Sequence, residues 1–322
     1  MAFLFLFLDG FGLGAEDPAV NPLVCAPMPT LRALLGGRPL VAATAPFEGD
    51  RATLLALDAA LSVSGLPQSA TGQAVLLTGI NIPHALGYHY GPKPNPAIAA
   101  YLKNGRTLFS WLRAAGKRVA LLNAYPPRYF HAVHSGRRLY SAIPLALTNA
   151  GLPLFTHDDL YTGRALSADF TGHGWRTLLG YPDAPLYTPS QAGQLLATLS
   201  QRYDFALFEY WAGDYAGHKQ DMQTACALLE TLDGVLAGLL DAWRDPQSLI
   251  LITSDHGNLE DLSTRQHTTA PVPCLVIGER SARRRFLAGL TDLTGIAPAI
   301  RRWILTPQTA QRPDSPPADR AA

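Results

Sequence analysis

The amino-acid sequence predicts an α/β fold, a doubly wound and mostly parallel sheet with a small inserted cap. Three observations carry this expectation. Apolar runs of strand length recur at 3–8, 54–57, 119–122, 205–208, 249–253 and 274–277, and they are continuous rather than alternating, as parallel strands buried on both faces are. Helix-like stretches lie between them, which favours crossover connections. Hydrophobic residues make up 48% of the 322 and charged residues 16%, a balance that supports a large core rather than a disordered chain.

The first run alternates Phe and Leu from Phe3 to Leu8 and could pass for the apolar part of a leader. It lacks a positive flank and a small-residue cleavage site, it stops at Asp9-Gly10, and it falls short of the roughly 20 apolar residues a bilayer span needs. It reads as a buried strand. The stretch 107–115 has a helical pattern closed by Gly116, and 189–203 opens on Pro189-Ser190 as a helix start does. Residues 223–243 place Leu228, Leu229, Leu232, Val235, Leu236, Leu239 and Leu240 at helical spacing, a stripe that reads as core packing. Between 125 and 189 the apolar periodicity fades while Pro, Gly, Tyr, Arg and His accumulate. The expected organisation is therefore a core of 1–124 and 190–306, a cap of 125–189, and a proline-rich, disordered tail of 307–322.

Charge narrows the choice of partner. With 26 basic against 25 acidic residues the net charge is +1, and no basic stripe runs along an expected helix, so neither nucleic acid nor a membrane surface is the expected partner. Cys25, Cys226 and Cys274 are odd in number, far apart and form no CxxC. They argue against a disulfide framework and for a reducing, cytoplasmic compartment.

Three expected strands end in acidic residues. The first runs into Asp9. The run 205–208 leads through Glu209 to Asp214 in Asp-Tyr-Ala-Gly-His, and 249–253 leads into Ser254-Asp255-His256-Gly257. In an open α/β sheet the carboxyl ends of the strands border the ligand crevice. Carboxylates mixed with imidazoles there suit zinc or manganese, whereas oxygen alone would favour magnesium or calcium. A spacing of four lets Asp214 and His218 share one face of a helix, although Asp214 could also be a simple helix cap. The adjacent Asp255 and His256 splay apart and can address two neighbouring ions. His267, in a proline-fixed loop, closes the set. Ser69 lies just ahead of a helix-like run in Gly-Leu-Pro-Gln-Ser-Ala-Thr-Gly. A serine there is either a cap or a nucleophile at the amide end of a helix, where a phosphate is stabilised, and Thr71 is the rival hydroxyl. The chain has neither a G-x-S-x-G elbow nor a P-loop.

At these residues the sequence resembles the alkaline phosphatase superfamily, and within it the branch of cofactor-independent phosphoglycerate mutase and phosphopentomutase. The matching pieces are Leu-Asp-Gly-Phe-Gly, Gly-Leu-Pro-Gln-Ser-Ala-Thr-Gly, Gly-Asp-Tyr-Ala-Gly-His, Ser-Asp-His-Gly-Asn and His-Thr-Thr-Ala-Pro-Val-Pro, in that order from Asp9 to Pro273. The resemblance implies an alkaline phosphatase-like sheet and two divalent ions, manganese or zinc. One would be held by Asp214, His218 and His267, the other by Asp9, Asp255, His256 and the Ser69 oxygen. It also implies that Ser69, rather than Thr71, is transiently phosphorylated, and that the cap contributes to substrate recognition.

The expected function is phosphoryl or related transfer to water, hydrolysing a small phosphorylated molecule. An intramolecular phosphomutase is the alternative enzyme, and a metal-binding scaffold without turnover the alternative of another kind. The mutase branch carries a large inserted domain with several cationic grips, and the short 125–189 segment offers few. Arg128, Arg137, Arg138 and Arg164 are weak candidates for gripping an anion against the simpler reading of solvated surface arginines. His89 and His131 are weak candidates for proton donors.

Overall fold

The computed structural model describes residues 1–306, so the expected tail at 307–322 lies outside the described residues. One seven-stranded sheet organises the chain: β1 Phe3–Leu8, β2 Phe47–Glu48, β3 Ala52–Leu57, β4 Val119–Leu121, β5 Phe205–Tyr210, β6 Leu249–Thr253 and β7 Val272–Ile277, in the order β2-β3-β7-β6-β1-β5-β4. The Phe/Leu run is a central strand, paired in parallel with β5 on one side and β6 on the other. Every one of its residues is buried, because both faces are covered. Phe3, Phe5 and Phe7 enter one apolar cluster, with the helices Ser69–Thr78, Leu108–Ala114 and Ile296–Leu305. Leu4, Leu6 and Leu8 enter the other, with Pro189–Ser200 and Met222–Ala242. Burial on two faces explains why this strand shows no apolar-polar alternation. The mostly parallel, doubly wound sheet of the sequence reading is what the chain forms.

One expectation fails. The run containing Cys274 reads as parallel, but β7 is antiparallel to both β6 and β3. A parallel return requires a crossover element, usually a helix. Residues 254–271 contain no helix and come straight back, so β7 reverses direction. The segment spent on that return carries Asp255, His256 and His267.

The residues from 125 to 189 divide in two. The helices Pro127–His134 and Ala142–Asn149 add Tyr129, Ala142, Ile143, Ala146 and Leu147 to the main apolar cluster. Beyond them Leu160, Ala165, Trp175 and Ala184 form a small cluster of their own with Ala124. Bridges from Asn123 to Leu166 and from Ala124 to Phe155 tie this part to the end of β4.

Candidate metal centre

Because β6, β1 and β5 are parallel neighbours, their carboxyl ends fall side by side. Asp9 follows β1, Asp255 follows β6, and the helix Ala212–Lys219 after β5 carries Asp214 and His218. Trp211, not Asp214, occupies the cap of that helix. The i,i+4 spacing does its work: His218 Nε2 lies 3.4 Å from Asp214 Oδ2. Gly10, at φ +77°, lets this helix come close, since a Cβ there would lie 2.7 Å from the Asp214 Cα. Gly72 does the same for the helix Ser69–Thr78, where a Cβ would lie 2.8 Å from the Asp255 Cβ.

Two groups result. In the first, His267 Nε2 is 3.4 Å from Asp214 Oδ1 and 3.3 Å from His218 Nε2. In the second, His256 Nε2 is 3.4 Å from Asp9 Oδ1, 3.7 Å from Asp255 Oδ2 and 3.1 Å from Ser69 Oγ. The two share a wall. Asp214 has an oxygen within metal-bridging range of both Asp9 and His256, and the His256 and His267 rings stack with centroids 3.8 Å apart.

Each histidine is oriented from behind by a backbone carbonyl. The Nδ1–H of His218 donates to Arg265 O at 2.7 Å, that of His267 to Pro67 O at 2.8 Å, and that of His256 to Gly257 O at 3.4 Å. A carbonyl only accepts, so each Nδ1 carries a proton, and all three Nε2 atoms face the cluster. Metal-binding histidines are held in this way.

The electrostatics also fit a divalent cation. Burial, then the charges of Asp255 and Asp214, push the Asp9 carboxyl well above the ordinary carboxylate range. Burial and Asp214 push Asp255 up to about 7. Burial and the neighbouring His267 hold His256 neutral, down to about 3. Asp214 differs. Burial would raise it, but a hydrogen bond from His267, the histidine charges and the Asn258 amide pull it to about 2. Burial would lower His267, but its bond to Asp214, the Pro67 carbonyl and the charges of Asp214 and Asp255 together raise it. Asp9 Oδ1 is buried and receives no hydrogen bond, a costly state for an acceptor. Nitrogen and oxygen donors, crowded carboxylates and an orphaned oxygen are the chemistry a divalent ion would complete.

Four further residues support the site and were not singled out from sequence. The Gln73 amide donates to Asp255 at 3.3 Å and to Asp9 at 3.5 Å, bridging two carboxylates. Asn258 Nδ2 donates to Asp214 Oδ1 at 2.7 Å. Glu260 is buried and accepts from Gly12 N at 3.0 Å, from Asn258 N at 2.8 Å and from the Thr268 hydroxyl, tying three loops together. Glu209, at the end of β5, is pushed up to about 7 by burial and accepts from Tyr125 Oη at 3.4 Å. The Ser-Asp-His-Gly-Asn and Ser-Ala-Thr-Gly-Gln segments already held Asn258 and Gln73, but an amide carries no charge pattern by which to notice it.

The two hydroxyls near the helix start differ. Gln68 takes the cap position without a side-chain bond, so Ser69 is not the cap, and its oxygen faces His256. Thr71 is fully buried, and its hydroxyl is engaged by Gln68 O at 3.0 Å and by the backbone of Tyr90. Of the weak substrate candidates, His89 lines an open cavity of about 430 Å³ beside Gln68, with Tyr88 and Tyr90. Arg128, Arg137 and His131 are exposed. Arg138 lies over the Tyr129 ring at 4.9 Å, and Arg164 pairs with Asp159 at 2.9 Å.

Fold and site together describe a doubly wound α/β protein with two groups of residues that could hold metal ions. The family described as the metalloenzyme superfamily matches residues 190–307. The 2,3-bisphosphoglycerate-independent phosphoglycerate mutase of Ectopseudomonas mendocina is 32% identical over 151 residues, covering 42% of this chain and 29% of the mutase. That of Pseudomonas fluorescens is 33% identical over 118 residues, covering 34% and 22%. The matched part is thus less than a third of those mutases' own length. In fold, the PH0037 protein of Pyrococcus horikoshii superposes with a TM-score of 0.55 at 15% identity, over 94% of this chain and 96% of that one. The alkaline phosphatase of the Antarctic bacterium TAB5 gives 0.50 at 12% identity, over 94% and 97%. The chain thus resembles the metalloenzyme superfamily over residues 190–307, part of the cofactor-independent phosphoglycerate mutases in sequence, and an alkaline phosphatase in fold. Among the described residues no helix is long and apolar enough to cross a membrane.

Proposed function

We propose that this chain is a two-metal phosphoryl-transfer enzyme with Ser69 as nucleophile, and that it hydrolyses a small phosphate ester. The observation that carries the reading is the Ser69 oxygen, 3.1 Å from His256 Nε2 at the amide end of the Ser69–Thr78 helix, where both ligand groups meet. Asp214, His218 and His267 would hold one ion, and Asp9, Asp255, His256 and the Ser69 oxygen the other, with manganese or zinc suiting these donors. When bound, such ions supply Lewis-acid polarisation and a lowered hydroxyl pKa.

The chain's own contributions follow from position. The start of the helix directs its amide dipole at a phosphoryl group beside Ser69. Ser69 Oγ bonds to phosphorus as the bond to the leaving alcohol breaks; the serine proton passes to solvent and the alcohol takes one up. Water then cleaves the phosphoserine, releasing inorganic phosphate and restoring the hydroxyl. Thr71, whose hydroxyl is engaged twice over, is poorly placed to compete.

The segment 125–189 would act as the cap. Arg164 is engaged by Asp159 and Arg138 by Tyr129, which leaves few cations to retain an intermediate while it turns over. Transfer to water is favoured over return to the substrate on that ground. A mutase is the reading the sequence relatives favour, and a phosphorylated glycerate or sugar incubated in oxygen-18 water separates the two. Label in free phosphate is expected. Isomerised product without free phosphate would replace the hydrolase with the mutase, and no turnover across phosphate mono- and diesters would leave the scaffold.

A further inference from the structure

We propose that Cys25 and Cys226 form a reversible disulfide within the native fold. They stand 201 positions apart in the chain, yet their Sγ atoms are 3.4 Å apart. Cys25 ends the short helix Pro22–Cys25, and Cys226 lies in the second turn of the helix Met222–Ala242. A disulfide bond is about 2.05 Å long, so the sulfurs have little more than about 1 Å to close. Nothing strong holds them apart. The Cys25 thiol has only long contacts, 3.8 and 3.7 Å, to the carbonyls of Asn21 and Pro22, and Met222 Sδ lies 3.5 Å away on the other side.

Access divides the labour. Cys25 is exposed and Cys226 partly so, whereas Cys274 is buried in β7. Burial, then the adjacent Cys25, pushes the Cys226 thiol up to about 11. Cys25 therefore meets the oxidant first. With a low-molecular-weight disulfide as oxidant, the Cys25 thiolate attacks one of its sulfurs and expels a thiolate, giving a mixed disulfide. Cys226 then attacks the Cys25 sulfur, loses its proton to solvent and expels the second thiol. Two protein thiols and one disulfide become one protein disulfide and two small thiols. The bond would join the segment that leaves Asp9 to the helix that directly follows Asp214 and His218, spanning the chain on either side of the metal centre.

Mass spectrometry of the folded, metal-loaded protein tests this. After incubation with oxidised glutathione and alkylation under denaturing conditions, the chain should lose the mass of two hydrogens. It should carry a single alkyl group, on Cys274, and yield a peptide cross-linked from Cys25 to Cys226, all reversed by dithiothreitol. Cys226→Ser should instead trap glutathione on Cys25. A wild-type chain that keeps a glutathione adduct, alkylates at all three cysteines, or links to a second chain would overturn the proposal. So would a cross-link that appears only when the protein is oxidised unfolded.

Discussion

The two halves of the candidate metal centre are built on opposite electrostatic plans. Around Asp214 the charges nearly balance: His267 is raised, Asp214 sits at about 2, and Asn258 supplies a further donor. The His218 side chain there is 44% exposed, so water reaches the group. Around Asp9 nothing balances. Asp255 and His256 are fully buried, both carboxyls are pushed up, and His256 is held neutral. The first group can stand as a set of ion pairs. The second is strained by its own charge and depends on a cation to be ionised at all. Ser69 is attached to the strained half.

The largest effect should come from removing the attacking group. Ser69→Ala should keep the fold and most bound metal, with a stability cost of about 1 kcal/mol or less for a small hydroxyl that caps nothing. Turnover should fall on the order of a thousandfold or more, because the covalent step disappears. Steady-state kinetics beside a melting curve would show both. Near-normal activity in this variant, with loss in Thr71→Ala, would move the nucleophile two residues on.

The contrast between the halves is sharpened next by ligand deletion. Asp255→Ala removes a fully buried carboxylate from the half that cannot balance itself, and elemental analysis should find close to one divalent ion per chain. His218→Ala opens an already wet and balanced site, so two ions should remain at saturating metal, with faster loss to a chelator from one. Equal losses in the two variants would abolish the distinction. A smaller step in the same series is Asn258→Ala, which removes no expected metal ligand itself. It takes away the 2.7 Å bond that fixes the Asp214 carboxylate, and metal affinity should drop about 10- to 100-fold as for other supporting residues.

How much of this could be read from the chain depends on how each feature is encoded. Continuous apolar runs marked six of the seven strands, because burial on both faces writes itself into every residue. The two-residue strand β2, half-buried and exposed, leaves no such trace. The direction of β7 was lost because it depends on what 254–271 does not contain. The proposed ligands stand out in the sequence as charged residues at or just beyond strand ends. Their supports do not, since Gln73, Asn258 and Glu260 act through contacts made only when separate loops meet. The helices between 125 and 189 are short, eight residues or fewer, too brief to establish a 3.6-residue period even where Ile143 and Leu147 enter the main core. The contact between Cys25 and Cys226 lies between elements that only folding brings together.

The smallest expected effect concerns the metal-free protein, and it follows from the imbalance itself. Between about pH 6.5 and about pH 8 an unfolded chain has ionised carboxylates and largely neutral histidines. The folded chain still binds protons there on Asp255 and Glu209, both at about 7, and the upward shift of Asp9 acts in the same direction. The raised His267 adds to the same side. Folding then takes up protons, so stability must fall as pH rises through this window. His256 opposes the trend toward the acid end of the window and below it, where the unfolded ring charges and the folded one does not. The change should be on the order of 1 kcal/mol per raised group. Chelator-treated protein should melt several degrees lower at the alkaline end of the window, and Asp255→Asn should flatten the slope. Added manganese or zinc should remove it, because a bound cation favours the ionised carboxylates that burial and crowding oppose. A metal-free protein that grows more stable across the same window would mean that Asp9 and Asp255 are already ionised, and that the two halves are built alike.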